Sequence, residues 1–298
     1  MKYQKPPLSF EDQADLVLSR GLVADRADLV ARLKAVNYYR LSAYWYTFRI
    51  PGDPTDRVQP GTSLDTVWRR YRFDRQLRLL VMDAIERVEI AIRTRIVNRH
   101  VMQHGPFGYL DRATLPGMSF ENHRRLQEKV HTEAEYSHEE FVRHYLGKYT
   151  SETDLPLWMA CELLTFGGML TLFNGLPTRT KKDVAQDFGL NVPILGSWLR
   201  AINQIRNICA HHSRLWNREF GIRPMLPYRE TFPDWHEPVG ITDDRLFGIL
   251  TVLYFLLKQV APQSRWRQRL ASLFAEYGDI PLRFMGFPDN WETSLLWQ

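Results

Sequence analysis

The spacing of apolar residues along the 298-residue chain is that of helices almost throughout. Apolar positions recur at intervals of three and four, whereas runs of strict alternation, which are typical of half-buried strands, are few. Residues that start and stop helices stand between the periodic segments. The pattern therefore predicts an all-α fold.

The first helices are marked by their boundary residues. Ser9 and Asp12 resemble a capping box, and Gly21 is a typical helix stop. The proline- and glycine-rich segment 51–63 is the clearest break, and the longest helix follows it over about residues 63–100. One face of that helix is apolar and another is polar. The apolar face comprises Leu77, Val81, Ala84, Ile85, Val88 and Ile92, and the polar face comprises Glu86, Glu89 and Arg93.

Later segments carry their own signals. A second capping box, Ser137–Glu140, predicts a helix start in an exposed region. Residues 155–173 are apolar and predict a buried helix, or a helix pair broken at Gly167–Gly168. Residues 244–260 predict a last apolar helix. The six aromatic residues of segment 38–48 are more typical of a core than of a surface that stacks RNA bases.

The helix predicted to begin near Pro193 and to end before residue 221 carries two stripes of different chemistry. The apolar stripe contains Leu195, Trp198, Ile202, Ile205 and Cys209, and the polar stripe contains Arg200, Asn203, Asn207, His211 and Arg214. Large polar groups in register on a helix otherwise suited to burial need a partner. That partner is either solvent or a second helix, such as the one with Glu86, Glu89 and Arg93.

Composition narrows the class of protein. With 44% hydrophobic and 24% charged residues, the chain is typical of ordinary globular proteins. The longest apolar run, residues 249–257, is about half of the ~20 residues that span a bilayer, and the first residues lack the apolar region of a secretory signal. Both cysteines lie in apolar helical contexts. We therefore expect a reduced, cytoplasmic, soluble protein with no membrane partner.

The charge is modestly basic, at +5, and the 39 basic residues comprise 31 arginines and 8 lysines. Guanidinium groups bind phosphates in a bidentate way and stack on bases, so this composition suits RNA. A GC-rich genome, which favours arginine codons, would produce the same excess. The charge alone does not choose between these explanations.

The segment QIRNICAHHSRLWNR, residues 204–218, brings together groups that can cleave RNA without a metal. The ribose 2′-hydroxyl would attack the adjacent phosphate while His211 handles a proton, which imidazole gives or takes near neutral pH. Arg206 would stabilise the negative charge that develops, and Asn207 would orient either group or hold a ribose hydroxyl. The products would carry a 2′,3′-cyclic phosphate and a 5′-hydroxyl.

The Arg-x4-His spacing is not specific on its own, because roughly one occurrence is expected by chance from the 31 arginines and 9 histidines. The three copies are Arg95 to His100, Arg99 to His104 and Arg206 to His211. Only the last has an asparagine directly after the arginine. A histidine with a structural role is the alternative. A metal site at His100 and His104 lacks further ligands of matching spacing, so we expect neither a metal nor another cofactor.

Several segments, in the expected order, resemble the Abi-like family of bacterial abortive-infection proteins (AbiD/AbiF type), within the HEPN superfamily of helical ribonucleases. RNICAHHSRLWNR contains the RNxxxH form of the Arg-x4-His signature of that superfamily. The other segments are VNYYRLSAYWYTFR, FDRQLRLLVMDAIERVEIAIRTRI, GPFGYLD, LPLWMACELLTFGGM and FGL…LGSWLRAINQI. They span about residues 20–220, and as a set they are highly specific.

The resemblance implies an all-α, HEPN-like helical bundle with additional N-terminal and C-terminal helices. We expect an N-terminal helical segment at residues 1–55 packed on the core, the core with the RNxxxH motif at 56–262, and a C-terminal tail at 263–298. The resemblance also implies phage defence by abortive infection, in which cellular or viral RNA is cut at the cost of host growth. In such proteins two motifs meet across a dimer, so we expect a homodimer with one composite active site.

By the same resemblance, Arg206 and His211 are catalytic and Asn207 supports them. The residues themselves suggest two further contacts: His212 and Arg214 are candidates for binding the scissile phosphate or the RNA backbone. The expected partner is RNA, and a candidate inhibitor is a noncoding RNA or a protein.

Glu86, Glu89 and Arg93 are candidates for orienting the motif, and a polar contact between helices without a catalytic role is the alternative. The whole motif also has an alternative function. A non-catalytic HEPN-type protein would use it to grip RNA or a partner as a sensor, in which case His211 would matter little. A third interpretation is that the RNxxxH motif is purely structural and stabilises a dimer of helices.

Overall fold

The computed structural model describes residues 2, 4 and 6–298, and within them the chain forms twelve α-helices. In chain order these are α1 (Phe10–Ser19), α2 (Arg26–Val36), α3 (Tyr38–Trp45), α4 (Leu64–His104), α5 (Phe120–Glu135), α6 (Glu140–Lys148), α7 (Leu157–Leu163), α8 (Phe166–Gly175), α9 (Thr178–Gln186), α10 (Val192–Ala210), α11 (Leu246–Val260) and α12 (Trp266–Glu276). The extended pairs among these residues are two isolated bridges, Val23 with Ser63 and Arg49 with Val58. The predicted all-α fold is confirmed.

The chain forms two compact units. The first comprises Met1–Leu79 and Arg269–Pro281, and the second comprises Leu80–Gln268 and Leu282–Gln298. Helices α1 to α3 belong to the first unit and α5 to α11 to the second, so every residue of the RNxxxH motif lies in the second. The domain boundaries predicted at residues 55 and 262 remain predictions.

The start and the end of α1 follow from local interactions. Ser9 Oγ accepts a hydrogen bond from the Asp12 amide at 3.0 Å and donates to the Asp12 carboxylate at 2.7 Å. Gly21 follows the helix with a φ of 94°, a conformation in which a Cβ would be strained. Both predicted boundary signals of α1 are confirmed.

The aromatic segment 38–48 divides between core and surface. Tyr44 and Trp45 are buried, and the Tyr44 hydroxyl donates to Asp74 at 2.6 Å. Tyr39, in contrast, is 86% exposed. The expectation of a core cluster is therefore met by only part of the segment.

Two predicted helix boundaries are wrong. The chain enters α6 after Glu139, and Ser137 Oγ accepts from the Glu139 amide at 3.2 Å in the preceding turn, so the second capping box does not form. Helices α7 and α8 are the predicted pair, but the break precedes Thr165, which caps α8 by accepting from the Gly168 amide at 3.3 Å. Both glycines therefore lie in the first turn of α8.

Helix α4 is 41 residues long, and the apolar face predicted for it is buried. Side chains at intervals of three and four point to the same side of a helix, which is why this face was visible in the sequence. No helix among the described residues is both long and apolar enough to cross a membrane.

Helix α10 is held in the core of the second unit. Asn191 caps it by accepting from the Ile194 amide at 2.9 Å, and Pro193 occupies its first turn, where no amide hydrogen is needed. Its predicted apolar stripe is buried, and Trp198 Nε1 donates to the Met225 carbonyl at 2.8 Å. This packing fixes which residues of α10 face outward.

Candidate active site at the end of helix α10

Helix α10 ends inside the RNxxxH motif. His211 caps its C-terminus and His212 has a φ of 56°. The His212 amide donates to the Cys209 carbonyl at 3.0 Å, and the Ser213 amide donates to the Ile208 carbonyl at 2.9 Å. These two hydrogen bonds form a Schellman motif, which ends a helix and turns the chain away from its axis. The arginine and asparagine of the motif are therefore helical, and its histidine closes the helix.

His212 stands at the position of this turn that glycine usually occupies. Left-handed backbone costs a residue with a Cβ about 1 kcal/mol, although histidine adopts it more often than most side chains do. Arg214 lies beyond the turn, and its carbonyl accepts from Arg218 at 3.4 Å. The prediction that Arg214 continues the polar stripe of the helix is wrong, because α10 ends at Ala210.

Arg206 lies in an ion-pair network that joins three helices. Its Nε is 4.0 Å from Glu89 Oε2 on α4. Arg93, one turn further along α4, donates from Nη2 to Glu89 Oε1 at 3.1 Å and from Nη1 to Glu162 Oε2 on α7 at 3.0 Å. Arg93 Nη2 also reaches the Leu164 carbonyl at the end of α7, at 3.5 Å. Three of the predicted residues, Arg206, Glu89 and Arg93, are thus brought together.

Glu162 was missed by the sequence analysis. It is the only charged residue in the apolar segment 155–173, and a lone charge in a segment suited to burial is a signal for a polar contact. That signal identifies the residue but not its partner. The partner, Arg93, is distant in the chain.

Burial raises the pKa of the Glu89 carboxyl above its ordinary value of 4.5. Attraction from Arg93, and then from Arg206, opposes this rise, and repulsion from Glu86 adds to it. Glu86 itself is exposed and forms no ion pair within the described part of the chain. Of the three predicted polar residues on α4, Glu86 therefore lies outside the network and acts on it only through its charge.

Asn207 and His211 are exposed and line a shallow depression of about 340 Å³. The other lining residues are Asn203, Gln204, Ile208, Ser213, Arg218 and Ile222. Arg206 does not line this depression, because it stands five positions before His211, which is about 140° around the helix axis. In a single chain the arginine and the histidine of the motif therefore face different surroundings.

A sequence model described as Abi-like protein matches residues 31–217, which is more than half of the chain. The chain belongs to the Abi-like protein family. No curated protein and no solved structure matches it. The family points to abortive infection, a form of defence against phage. The segment that defines this Abi-like protein runs from α2 to just beyond α10 and so contains the complete ion-pair network and the RNxxxH motif.

The histidine pair on α4 of this Abi-like protein lies outside that network. The rings of His100 and His104 are 4.8 Å apart between centroids, and His100 is fully buried. Burial, with a smaller contribution from His104, lowers the pKa of His100 to about 4, so its imidazole is neutral at neutral pH. Within the described residues, no group of three or more His, Cys, Asp or Glu side chains is placed to hold a metal ion.

Proposed function

We propose that this Abi-like protein is a metal-independent endoribonuclease of the HEPN type that acts in phage defence. The observation that carries the proposal is that the arginine and the histidine of the motif, at the end of α10, lie in different surroundings. Arg206 lies 4.0 Å from the largely buried carboxylate of Glu89, whereas Asn207 and His211 are exposed at a depression open to a large substrate.

The chemistry requires a proton acceptor, a proton donor and a cation. The 2′-hydroxyl loses its proton to a base and its oxygen attacks the adjacent phosphorus. The bond from phosphorus to the 5′-oxygen breaks, and that oxygen takes a proton. His211 supplies acid–base catalysis, and Arg206 stabilises the additional negative charge on the phosphoryl oxygens. The RNA ends are a 2′,3′-cyclic phosphate and a 5′-hydroxyl, and no metal or other cofactor enters the reaction.

A homodimer completes the site. Because Arg206 and His211 face different surroundings in one chain, a second copy is needed to place an arginine and a histidine on the same phosphate. Two motifs meeting across a two-fold axis would supply a pair of each. Cutting of cellular or viral RNA by this composite site would restrict host growth or phage replication.

Glu89 and Arg93 position Arg206 in this scheme. A guanidinium beside a carboxylate keeps a defined orientation, which lowers the cost of holding it against the phosphate in the transition state. His212 and Arg214 contact the RNA backbone. A noncoding RNA or a protein that covers the depression would hold the enzyme inactive.

A non-catalytic RNA-binding or sensor protein is the second candidate. The openness of the depression favours it, because catalysis usually requires a site that excludes water. In that case the motif grips RNA or a partner, and Arg206 and Asn207 determine affinity while His211 contributes little.

The experiment compares growth and RNA ends in cells that express the wild type, Arg206→Ala or His211→Ala. Control variants are His131→Ala and Arg112→Ala, which replace exposed residues that belong neither to the motif nor to its ion-pair network. We expect growth arrest and new cyclic-phosphate ends with the wild type and both controls, and neither with the two motif variants. RNA cleavage by purified protein should persist in EDTA and fall on dilution as the dimer dissociates.

If the purified His211→Ala variant binds RNA as the wild type does and the wild type produces no new ends, with or without phage infection, the nuclease is ruled out in favour of the binding protein. Folding of each variant is checked by thermal unfolding and its assembly by light scattering. A dimeric, folded wild type is required for either conclusion.

A further inference from the structure

The first unit contains a cavity of about 630 Å³. It lies between α1, α3 and the loop that contains Arg49 and Asp56. Its lining residues are Pro6, Leu8, Gln13, Leu16, Arg20, Tyr38, Tyr39, Ser42, Arg49 and Asp56. The volume lies in the range of small-molecule sites, roughly 300–1,000 Å³. None of these residues belongs to the RNxxxH motif or to its ion-pair network.

The cavity is positively charged. Arg49 Nη1 donates to Asp56 Oδ1 at 2.7 Å, and Arg20 Nη2 lies 3.5 Å from Asp56 Oδ2. Arg20 Nη1 also donates to the Tyr38 hydroxyl at 2.9 Å. Two guanidinium groups therefore share one carboxylate, which leaves one positive charge for an anion. Arginine forks are well suited to phosphate because they bind it in a bidentate way.

Two polar atoms of the lining are buried without a hydrogen-bond partner among the described residues. They are Arg49 Nε, a donor, and Gln13 Oε1, an acceptor. The Gln13 amide is otherwise held, since its Nε2 donates to the Leu8 carbonyl at 2.9 Å. Buried polar groups are rarely left unpaired, and both atoms are covered by their neighbours, so a ligand or water would pair with them only after a small movement of the lining side chains. A phosphate can accept from Arg49 Nε, but only a group with an N–H or O–H can donate to Gln13 Oε1.

Tyr39 adds a flat aromatic surface beside these groups. Tyr39 lines the cavity and is 86% exposed, so the face of its ring is free of protein contacts over most of its area. An exposed aromatic ring next to arginines is the combination on which nucleic-acid bases stack. The three requirements are a planar ring, an anion and an N–H donor, and a nucleotide meets all of them.

We propose that this cavity binds a nucleotide, with the base on Tyr39 and Gln13 and the phosphate on Arg49 and Arg20. The nucleotide is either free or part of an RNA strand. The site shares no residue with the RNxxxH motif and does not depend on RNA cleavage. It would give the protein a second point of contact with RNA, or a response to a free nucleotide.

The test is calorimetric titration of the full-length protein with four probes: adenosine monophosphate, cytidine monophosphate, inorganic phosphate and a 2′-O-methyl RNA tetranucleotide. The 2′-O-methyl group removes the attacking hydroxyl, so this RNA stays intact even if the protein is a nuclease. Binding of a monophosphate that Tyr39→Ala weakens identifies a free nucleotide, whereas binding of the tetranucleotide alone, weakened by the same variant, identifies an RNA strand.

The variants separate stacking from charge. Tyr39→Ala should weaken binding about 5- to 100-fold, from the range measured for base–aromatic stacking, and Tyr39→Phe should restore it. Arg49→Lys should weaken binding about tenfold because lysine lacks Nε and the fork. The matched controls, which should leave affinity unchanged, are Tyr136→Ala, which removes another exposed tyrosine, at 73% exposure, and Arg57→Lys, which replaces an arginine paired with Asp53 in the same unit.

Thermal unfolding establishes that each variant is folded, which for Tyr39→Ala is expected because the side chain is exposed. The proposal is overturned if no probe binds, if inorganic phosphate binds as tightly as the nucleotides, or if Tyr39→Ala and Tyr136→Ala have the same effect. These outcomes do not depend on whether the RNxxxH motif cleaves RNA.

Discussion

Replacing Arg93 with methionine should destabilise the protein by about 2–3 kcal/mol, whereas replacing Glu89 with glutamine should change stability by less than about 0.5 kcal/mol. The two residues are partners in one ion pair at 3.1 Å. The expected difference arises because each substitution leaves a different group behind.

The magnitude follows from burial. At 3.1 Å, the attraction between Glu89 and Arg93 is about 5 kcal/mol at an effective dielectric constant of ~20, before any cost of desolvation. Breaking a fully buried pair costs about 3–5 kcal/mol, because the remaining charge has no partner. The side chains of Arg93 and Glu89 are 14% and 13% exposed, so water relieves part of this cost. Methionine leaves the Glu89 carboxylate with only Arg206, at 4.0 Å.

Glutamine at position 89 removes a carboxylate from two arginines, but both charges keep other stabilisation. Arg93 retains Glu162 at 3.0 Å, and Arg206 is 32% exposed to water. The raised pKa of Glu89 means that its burial costs more than Arg93 and Arg206 return. A neutral amide at position 89 removes both the cost of burying the charge and the attraction to the two arginines. The double variant with both substitutions should therefore be more stable than Arg93→Met alone.

The contribution of Glu89 to the free energy of unfolding depends on pH with a definite sign. Because the folded pKa of Glu89 lies above 4.5, the folded state binds this proton more readily than the unfolded state does. Its contribution to stability therefore falls as pH rises from about 4.5 through the raised value. Glu89→Gln removes this fall. Arg93→Met raises the pKa further, so its deficit should be smaller at pH 4.5 than at pH 7.

Urea unfolding at pH 4.5 and 7, followed by tryptophan fluorescence, measures these differences. A loss of 2–3 kcal/mol corresponds to a fall in Tm of about 4–9 °C. Glu133→Gln is the matched control, because Glu133 is an exposed glutamate on α5 that forms no ion pair among the described residues. The reasoning is refuted if Glu89→Gln costs as much as Arg93→Met, or if the double variant is no more stable than Arg93→Met.

Three further predictions concern α10. Arg206→Lys keeps the positive charge but loses the planar guanidinium fork. It should reduce cleavage of end-labelled RNA about 100-fold or more without a change in Tm. Cleavage near the wild-type rate would contradict the role assigned to Arg206. His212 has a left-handed backbone, so His212→Gly should leave stability almost unchanged. His212→Val should lower the free energy of unfolding in urea by about 1–2 kcal/mol, because a β-branched side chain is strained there. Equal stability of the two variants would argue against strain at this position. Asn191→Ala removes the N-cap and should cost about 1 kcal/mol, while Asn191→Ser should restore most of it.

The sequence was sufficient for those features of the fold that depend on neighbours in the chain. The capping residues of α1, the apolar face of α4 and the buried stripe of α10 all follow from interactions over three to four residues, which recur in the sequence with the helical period. The same reasoning failed at Ser137, where the signal for a cap was present but the chain entered α6 two residues later. It also failed at Arg214, because helical periodicity does not indicate that a histidine will end the helix in a left-handed turn.

The sequence alone determined only part of the candidate site. The motif Arg206-Asn207-x3-His211 is local, so its residues were identifiable from their types and order. Its surroundings are not local: Glu89, Arg93 and Glu162 come from α4 and α7, and only packing of those helices against α10 decides which charges meet. The sequence by itself therefore determined the helices and the reactive side chains. The tertiary structure decided that Arg206 faces the largely buried carboxylate of Glu89, that Asn207 and His211 face solvent, and that Tyr39 lines a cavity, because burial and pairing depend on residues far apart in the chain.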